Sequence, residues 1–300
     1  MNEVSRAPKS ASPSVAICTV LRDERRYILE WIAHHRLLGV ERFLIYDNES
    51  RDGGERLLAA LQARGLAAVV TWKGGSLQTQ LDAFLAGAKA LRFNADFVAF
   101  LDLDEFLGLD GNESLTSVLR SMPADVSALA VCQRVFGSGW RPAFEPDLVT
   151  ARFTSRAPDS RDEHRWVKTI ARPEFVLHFT SPHSVALSFG RYVMTDGLPF
   201  RPGAHAGAAD RLSHGRVHIN HYMLKSREEF EAKQRRGGFL DAQQALRLDD
   251  SYFSARDPDC NAVVDRQAAG RAAEVRAEIS RMIDGFDPDL RRMIFDDLGL

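Results

Sequence analysis

Cysteine is scarce: Cys18, Cys132 and Cys260 are the whole complement of a 300-residue chain. An odd and widely spaced set gives no disulfide framework and suits a reducing compartment. An excess of one charge is missing too, since 39 Lys and Arg face 41 Asp and Glu for a formal net charge of −2. That balance removes the basic footprint of a nucleic-acid binder. The longest apolar runs are five to seven residues, against the ~20 needed to cross a bilayer. Residues 1–14 are polar, with Pro8, Pro13 and four serines and no apolar stretch before Val15, so no targeting or membrane-spanning segment is expected. Lysine is nearly absent, at six residues among the 39 basic ones, a bias that GC-rich coding explains better than function. What is present in quantity is hydrophobic residues, 45% of the chain, with 9% aromatic. This excludes disorder and lets a chain of this length bury roughly 75% of its unfolded surface. The composition predicts a cytoplasmic protein with a disordered tail over residues 1–12.

The first hundred residues alternate two periods. Val15 to Val20 is a continuous apolar run of strand length, as in a strand covered on both faces. A helical pattern follows through Tyr27, Ile28, Trp31, Ile32, His35 and Leu38, stopped by Gly39. Arg42 to Tyr46 reads as a second strand. Asp47-Asn48-Glu49-Ser50 supplies turn and N-cap chemistry before a helix through Leu57, Leu58 and Leu61, ended near Gly65. Ala67 to Trp72 is a third strand, Gly74-Gly75 a loop, and Leu81 to Ala88 another helix. Phe97 to Leu101 is a fourth buried strand. Such alternation predicts a parallel sheet with right-handed crossovers, in which ligands bind beyond the carboxyl ends of the strands. The polar clusters Arg22 to Glu24, Asp47 to Asp52, Gly74 to Gln80 and Asp102 to Glu105 fall at those ends. Later, Ala128 to Phe136 reads as a strand, residues 141–165 as loops, and Trp166 to Ala171 with Phe175 to Phe179 as a strand pair. Residues 196–216, with four glycines, are expected to form a lid. Ser226 to Glu229 is a capping box that starts a helix over 227–236, ended by Gly237-Gly238. The 262–284 stretch is amphipathic, a candidate for homodimer or peripheral membrane contact as well as for packing on the domain.

The sharpest feature is Phe100-Leu101-Asp102-Leu103-Asp104-Glu105-Phe106, with three carboxylates in four residues after an apolar strand. In an extended segment Asp102 and Asp104 point the same way. With no Lys or Arg nearby in sequence, such crowding raises their pKa values unless a cation sits between them. Mg²⁺ or Mn²⁺ would suit oxygen ligands and leave positions for phosphate oxygens. A solvated acidic turn is the plainer reading, and the preceding strand argues against it. Haloacid-dehalogenase-type phosphatases resemble the pattern, but their motif lies near the chain start and continues Gly-Thr.

A more specific resemblance is carried by an ordered set. It comprises Asp23-Glu24, Glu30 to His35 with Gly39-Val40, Tyr46 to Asp52, Gln80 and Asp102 to Leu107. It continues with Phe136 to Gly139, Lys168 to Ile170, His221-Tyr222 and Lys225-Ser226. This set, running from about residue 15 to 237, resembles the GT-A type nucleotide-sugar glycosyltransferases, and within them the glycosyltransferase family 92 and DUF23-related group in its bacterial family-2-like branch. Asp23 stands where the resemblance implies asparagine.

The resemblance implies a GT-A-like α/β fold with a mostly parallel sheet over residues 13–240, followed by a helical C-terminal extension over 241–300. The implied activity is metal-dependent, inverting transfer of a sugar from a nucleotide-sugar donor, UDP favoured, to a glycan or lipid-linked acceptor. Thr19, Val20 and Arg22 would frame the base, and Asp47 would hydrogen-bond it or the ribose. Asp102 and Asp104 would hold Mn²⁺ or Mg²⁺ on the diphosphate, with His221 as third ligand. Lys168, in mid-strand, could reach phosphate oxygens or lie on a strand surface. Lys225 is a further diphosphate candidate, while Lys233, Arg235 and Arg236 read better as a solvated helix face. Gln78 and Gln80 could contact sugar hydroxyls, and Trp140 could be an acceptor platform or a buried anchor. For the general base Asp196 comes first, then Asp159, Asp162 and Glu163. Of the other histidines, one of His34 and His35 must face the core, and His178, His183, His205, His214 and His218 have no partner spacing. The alternatives are the phosphatase and a non-catalytic carbohydrate-binding protein.

Overall fold

The computed structural model describes residues 13–111, 113–237 and 249–300. The tail expected over 1–12 and the domain boundary expected after 240 lie outside these residues. Val15–Leu21 (β1) is buried at every position, as a strand with helices on both sides must be. Val15, Ile17 and Leu21 face one core, under Arg25–Leu37 (α1), while Ala16, Cys18 and Val20 face another. Next come Arg42–Asp47 (β2), Gly54–Ala63 (α2), Ala68–Thr71 (β3), Leu77–Leu91 (α3) and Phe97–Phe100 (β4). The strands lie parallel in the order β3-β2-β1-β4, as the alternation predicts. A side chain at Gly87 of α3 would collide with the Cys18 thiol. Glycine there lets the helix lie close on β1, with its first turn at the carboxyl ends of the strands.

The second half adds Glu105–Leu109 (β5), Leu115–Arg120 (α4), Val126–Val135 (β6), Val149–Arg152 (α5), Ser155–Arg156 (β7) and Val167–Ala171 (β8). Val176–Ser181 (β9), Ser184–Leu187 (β10), Arg191–Met194 (β11), Val217–His221 (β12) and Arg227–Arg236 (α6) follow. Asp250–Cys260 (α7), Val263–Val264 (β13), Ala272–Met282 (α8) and Pro288–Leu298 (α9) complete the described residues. The main sheet runs β3-β2-β1-β4-β8-β6-β12-β5, with β11 also on β6. Only β8 and β5 run against the rest, so the class is the expected α/β, GT-A-like one with a mostly parallel sheet.

Three expectations change. β8 and β9 are not a pair: β8 enters the main sheet between β4 and β6, and β9 pairs with β10. Both are strands, as read, and Arg172-Pro173 separates two sheets. Asp47 to Ser50 does not cap α2, whose N-cap is Gly53 at φ 88°; the Asp47 carboxylate accepts instead from the Ser50 amide and hydroxyl. The amphipathic 262–284 stretch is α-helical only from Ala272, after a short 3-10 turn at Ala269–Arg271. Val275, Ile279 and Met282 of α8 are buried in the core that holds Ile28 and Trp31 of α1, and the contact is fastened by Arg36 to Glu278 at 2.7 Å. The apolar face is thus spent inside the chain. Farther on, Arg25 binds Asp297 of α9 at 2.9 Å. The capping box before α6 forms as expected, and Gly237, at φ 70°, ends the helix. Among the described residues no helix is long and apolar enough to cross a membrane.

Candidate functional site

The acidic segment is a turn. β4 stops at Phe100 and the Glu105 amide donates to the Asp102 carbonyl at 3.2 Å, so Asp102 and Asp104 do not share the face that an extended segment would give them. Beyond the turn β5 leaves β4 and pairs antiparallel with β12, with Glu105 opposite His221. That register, backed by the Tyr222 amide on the Asp104 carbonyl at 2.8 Å, delivers His221 from the far end of the chain.

The sequence places no basic residue near these acids; the fold places two. Lys168, fully buried on β8, donates to Asp102 Oδ2 at 2.6 Å and lies 3.2 Å from Glu105 Oε2. It is not on a strand surface. Lys233 of α6 donates to Asp104 Oδ2 at 2.6 Å, which overturns its reading as a solvating residue. Gln80, in the first turn of α3, donates to Asp102 Oδ1 at 2.8 Å, whereas Gln78 pairs outward with Asp82. Lys225 is buried at φ 54° with its ammonium 4.4 Å from the centre of the Tyr27 ring.

These contacts set the proton affinities. Burial pushes Asp104 up, but Lys233, His221 and Lys225 outweigh it and hold its carboxyl well below the usual range. Glu105 is fully buried and goes the other way, to about 7: burial and the charges of Asp102 and Asp104 prevail over Lys168 and His221. Burial alone would lower Lys168, yet Asp102 and Glu105 keep its ammonium charged. In Lys225 burial prevails and the pKa falls.

His221 is oriented for ligation. Its Nδ1 lies 2.8 Å from Gln133 Oε1, and the Gln133 amide nitrogen donates to the Glu163 carbonyl at 2.8 Å. An amide oxygen only accepts, so Nδ1 carries a proton, and Nε2 is left facing Asp104 Oδ1 at 3.5 Å, a donor to it when the ring is charged and an acceptor when it is neutral. With the ring neutral, two acceptors stand face to face, and a cation can take the place of the proton between them. Ligands at right angles on one Mg²⁺-sized ion lie about 3 Å apart, so the pair fits such an ion. Glu105 Oε1, buried and without a hydrogen-bond partner, lies 4.0 Å from His221 Nδ1. Asp102 keeps a third of its side chain exposed.

The other expected residues are less concentrated. Val20 packs in the core with Phe84 and Phe100; Thr19 is fully buried with its hydroxyl unmet. Neither side chain is open to a base. Arg22, half exposed, follows β1. Asp23 takes φ 50°, a conformation that asparagine and aspartate both tolerate, and its carboxylate accepts from the Arg51 amide at 2.6 Å. All four base candidates meet arginines: Asp196 with Arg211 at 2.8 Å, Asp159 with Arg156 at 2.8 Å, Asp162 with Arg165 at 3.3 Å and Glu163 with Arg161 at 2.8 Å. Hydrogen bonding to Arg211 holds Asp196 below the usual range, the wrong direction for a base. Both His34 and His35 are core residues, tied to Leu107 and Trp31. Trp140 is two-thirds exposed at φ 62°. It borders a cavity of about 350 Å³ with Arg141, Arg227, Phe253 and Asp257.

A family model described as glycosyltransferase family 92 matches residues 14–198. The chain belongs to glycosyltransferase family 92. The matched stretch contains the acidic turn and Lys168, and it ends before His221 and α6. A family 92 protein of Oryza sativa subsp. japonica is 29% identical over 224 residues, 73% of this chain and 35% of that protein. One of Ricinus communis is 28% identical over 223 residues, 73% of this chain and 37% of its own length. The chain therefore spans about a third of the length of these curated relatives. Among solved structures, GalNAc-T7 with UDP, GalNAc and Mn²⁺ is similar at 10% identity and a TM-score of 0.38, over 95% of this chain and 58% of that one. S. aureus TarS 1-349 is similar at 10% identity and 0.36, over 92% and 73%. With the family in hand the phosphatase reading is set aside.

Proposed function

We propose that the chain moves a sugar from a nucleotide-diphosphate donor, UDP favoured, to a carbohydrate or lipid-linked acceptor with inversion, using Mn²⁺ or Mg²⁺. The observation that carries this is Nε2 of His221 turned on Asp104 at 3.5 Å, beside Asp102 at the carboxyl end of β4. Asp104 and His221 would hold the ion, and Asp102, its oxygens now on Gln80 and Lys168, would have to turn in from its exposed side to complete the set. When bound, the ion supplies positive charge to the departing nucleoside diphosphate. Gln133 fixes the His221 tautomer, Gln80 and Lys168 fix Asp102, and Lys168, Lys225 and Lys233 offer ammonium groups near the diphosphate. Arg22 and Asp47 lie at adjoining strand ends, where the nucleoside would sit. The exposed Trp140 ring offers an acceptor sugar a stacking face. Because every expected base is paired with arginine, the reading assigns the acceptor's proton to none of them. Three buried free thiols support a reducing, cytoplasmic setting.

The test is a thermal-shift screen of UDP-, GDP-, dTDP- and CMP-sugars with and without Mn²⁺. A true donor raises stability by about 2.7 kcal/mol at a hundredfold excess over Kd. Asp104→Asn and His221→Gln should each abolish the Mn²⁺-dependent part, and Trp140→Ala should raise the acceptor KM alone. Unchanged Mn²⁺-dependent donor binding in both ligand variants would refute the assignment. Donor binding without turnover on any glycan or lipid-linked acceptor would favour the carbohydrate-binding alternative.

A further inference from the structure

His164 is fully buried, and neither of its ring nitrogens has a hydrogen-bond partner. A buried imidazole left unmet at both nitrogens is costly. It faces two other donors: among the described residues, Asp159, His164 and His214 alone bring three His, Cys, Asp or Glu ligand atoms within 4.8 Å of one another. The His164 and His214 rings lie 5.3 Å apart between centres. His214 Nε2 is 2.8 Å from the Gln133 carbonyl. A carbonyl only accepts, so that nitrogen bears the proton and the Nδ1 lone pair turns to Asp159 Oδ1 at 3.7 Å. A backbone carbonyl that holds the far N–H of a ligating histidine is the usual support at metal sites. Burial, first of all, lowers the pKa of both histidines, that of His164 to about 4, so both are neutral ligands at neutral pH.

We propose that Asp159, His164 and His214 form a second metal site, for a nitrogen-preferring transition ion of the Zn²⁺ class. Two imidazoles and one carboxylate with a fourth position left for water match Zn²⁺ in ligand type and number. The same set is poor for Mg²⁺ and Mn²⁺, which prefer oxygen. Arg156 shares Asp159 Oδ1 at 2.8 Å and opposes the ion, which points to moderate affinity. The site would tie the 159–164 segment to the approach to β12. Gln133 joins it to the acidic turn, its main chain holding His214 and its side chain His221. The proposal does not depend on the function proposed above, since it concerns other ligands and another class of ion.

Calorimetry of Zn²⁺ into full-length, chelator-stripped protein is the test, run on the Asp102→Asn/Asp104→Asn variant to remove the acidic turn as a competitor. Should that variant fail to fold, wild type saturated with Mn²⁺ takes its place. The expected result is one equivalent of Zn²⁺, with Co²⁺ giving the strong visible absorption of a tetrahedral site with nitrogen ligands. Asp159→Asn, at an exposed position, should weaken Zn²⁺ by about tenfold or more, and His214→Gln by about a hundredfold, with unchanged circular dichroism. The proposal is overturned if the parent takes up no Zn²⁺ at micromolar concentration, or if both variants bind it as tightly as the parent.

Discussion

The helix that brings Lys233 to Asp104 hangs on one buried ion pair, and breaking that pair tests the architecture behind the site. Arg152 donates through Nη1 and Nη2 to both Glu229 oxygens at 2.8 Å, with 2% of each side chain exposed. Glu229 also accepts from Tyr27 at 3.0 Å and from the Ser226 hydroxyl at 2.6 Å, so α1, α5 and α6 meet on one carboxylate. Burial pushes that carboxyl up, but Arg152 and Ser226 prevail and hold it at about 2, against an ordinary 4.5. Such a depression corresponds to roughly 3 kcal/mol. Stabilisation of this kind is complete above the ordinary carboxylate range and is lost as the pH falls through about 2. Arg152→Met keeps an aliphatic side chain, removes the guanidinium that lies 5.1 and 4.7 Å from the centres of the Phe144 and Phe153 rings, and strands the carboxylate. Urea unfolding at pH 7 should show a loss of roughly 3–5 kcal/mol, shrinking towards pH 3 as Glu229 takes up a proton. Arg152→Met/Glu229→Met should cost clearly less than the sum of its single variants, because no charge is left buried. A single-variant loss below about 1 kcal/mol at pH 7, or strict additivity in the cycle, would refute the reasoning.

Three further outcomes follow from the same contacts. Lys233→Met removes the cation that holds Asp104 Oδ2 at 2.6 Å, so Mn²⁺ alone should bind about tenfold tighter by calorimetry, while nucleotide without metal should bind more weakly; unchanged Mn²⁺ affinity counts against the geometry. Glu105 is raised to about 7, so its contribution is full below the ordinary carboxylate range and is lost as the pH rises through 7. In chelator, Glu105→Gln should therefore gain on wild type by up to roughly 3 kcal/mol between pH 5 and 8, and a pH-independent difference would contradict the raised value. Thr19→Val removes a buried hydroxyl with no partner and should be neutral or stabilising by up to about 1 kcal/mol; a clear loss would mean that the hydroxyl is satisfied in solution.

How much of this was legible depends on how local the cause is. β1, β2 and β4 could be read because each is a short apolar run that is almost wholly buried, β3, a mostly exposed edge strand, because it keeps the strand–helix alternation, and the start of α6 because a capping box lies within four residues. The acidic turn was readable as a site but not as a shape, since its geometry follows from β5 leaving β4 to pair with β12, more than a hundred residues on. β8 and β9 could be read as strands but their partners could not, for a similar reason: insertion of β8 between β4 and β6 is a tertiary choice. The cluster of Asp159, His164 and His214 carries no spacing signal at all, because His214 lies fifty residues beyond His164.

The two lysines show where the limit falls. Lys168 and Lys233 bind acids 66 and 129 residues away, yet they were not equally hidden. Once the capping box fixes α6 at Arg227, residues three and four apart share a face, and Lys233 falls in line with the buried Glu229 and Phe230. A lysine on the stripe that carries the buried apolar anchor has to snorkel or find a counter-charge, so its inward role could have been read from helical phase alone. Lys168 sits in a strand buried at all five positions, where alternation distinguishes no outer face and sequence gives its side chain no direction. An ammonium fixed in such a strand must meet carboxylates, and the acidic turn, whose own crowding needs cations, provides them. The lack of basic neighbours along the chain is a property of the sequence and not of the site. With lysines already matched to Asp102 and Asp104, the reason to place an ion there narrows to Nε2 of His221, held towards Asp104 by the Gln133 contact at Nδ1.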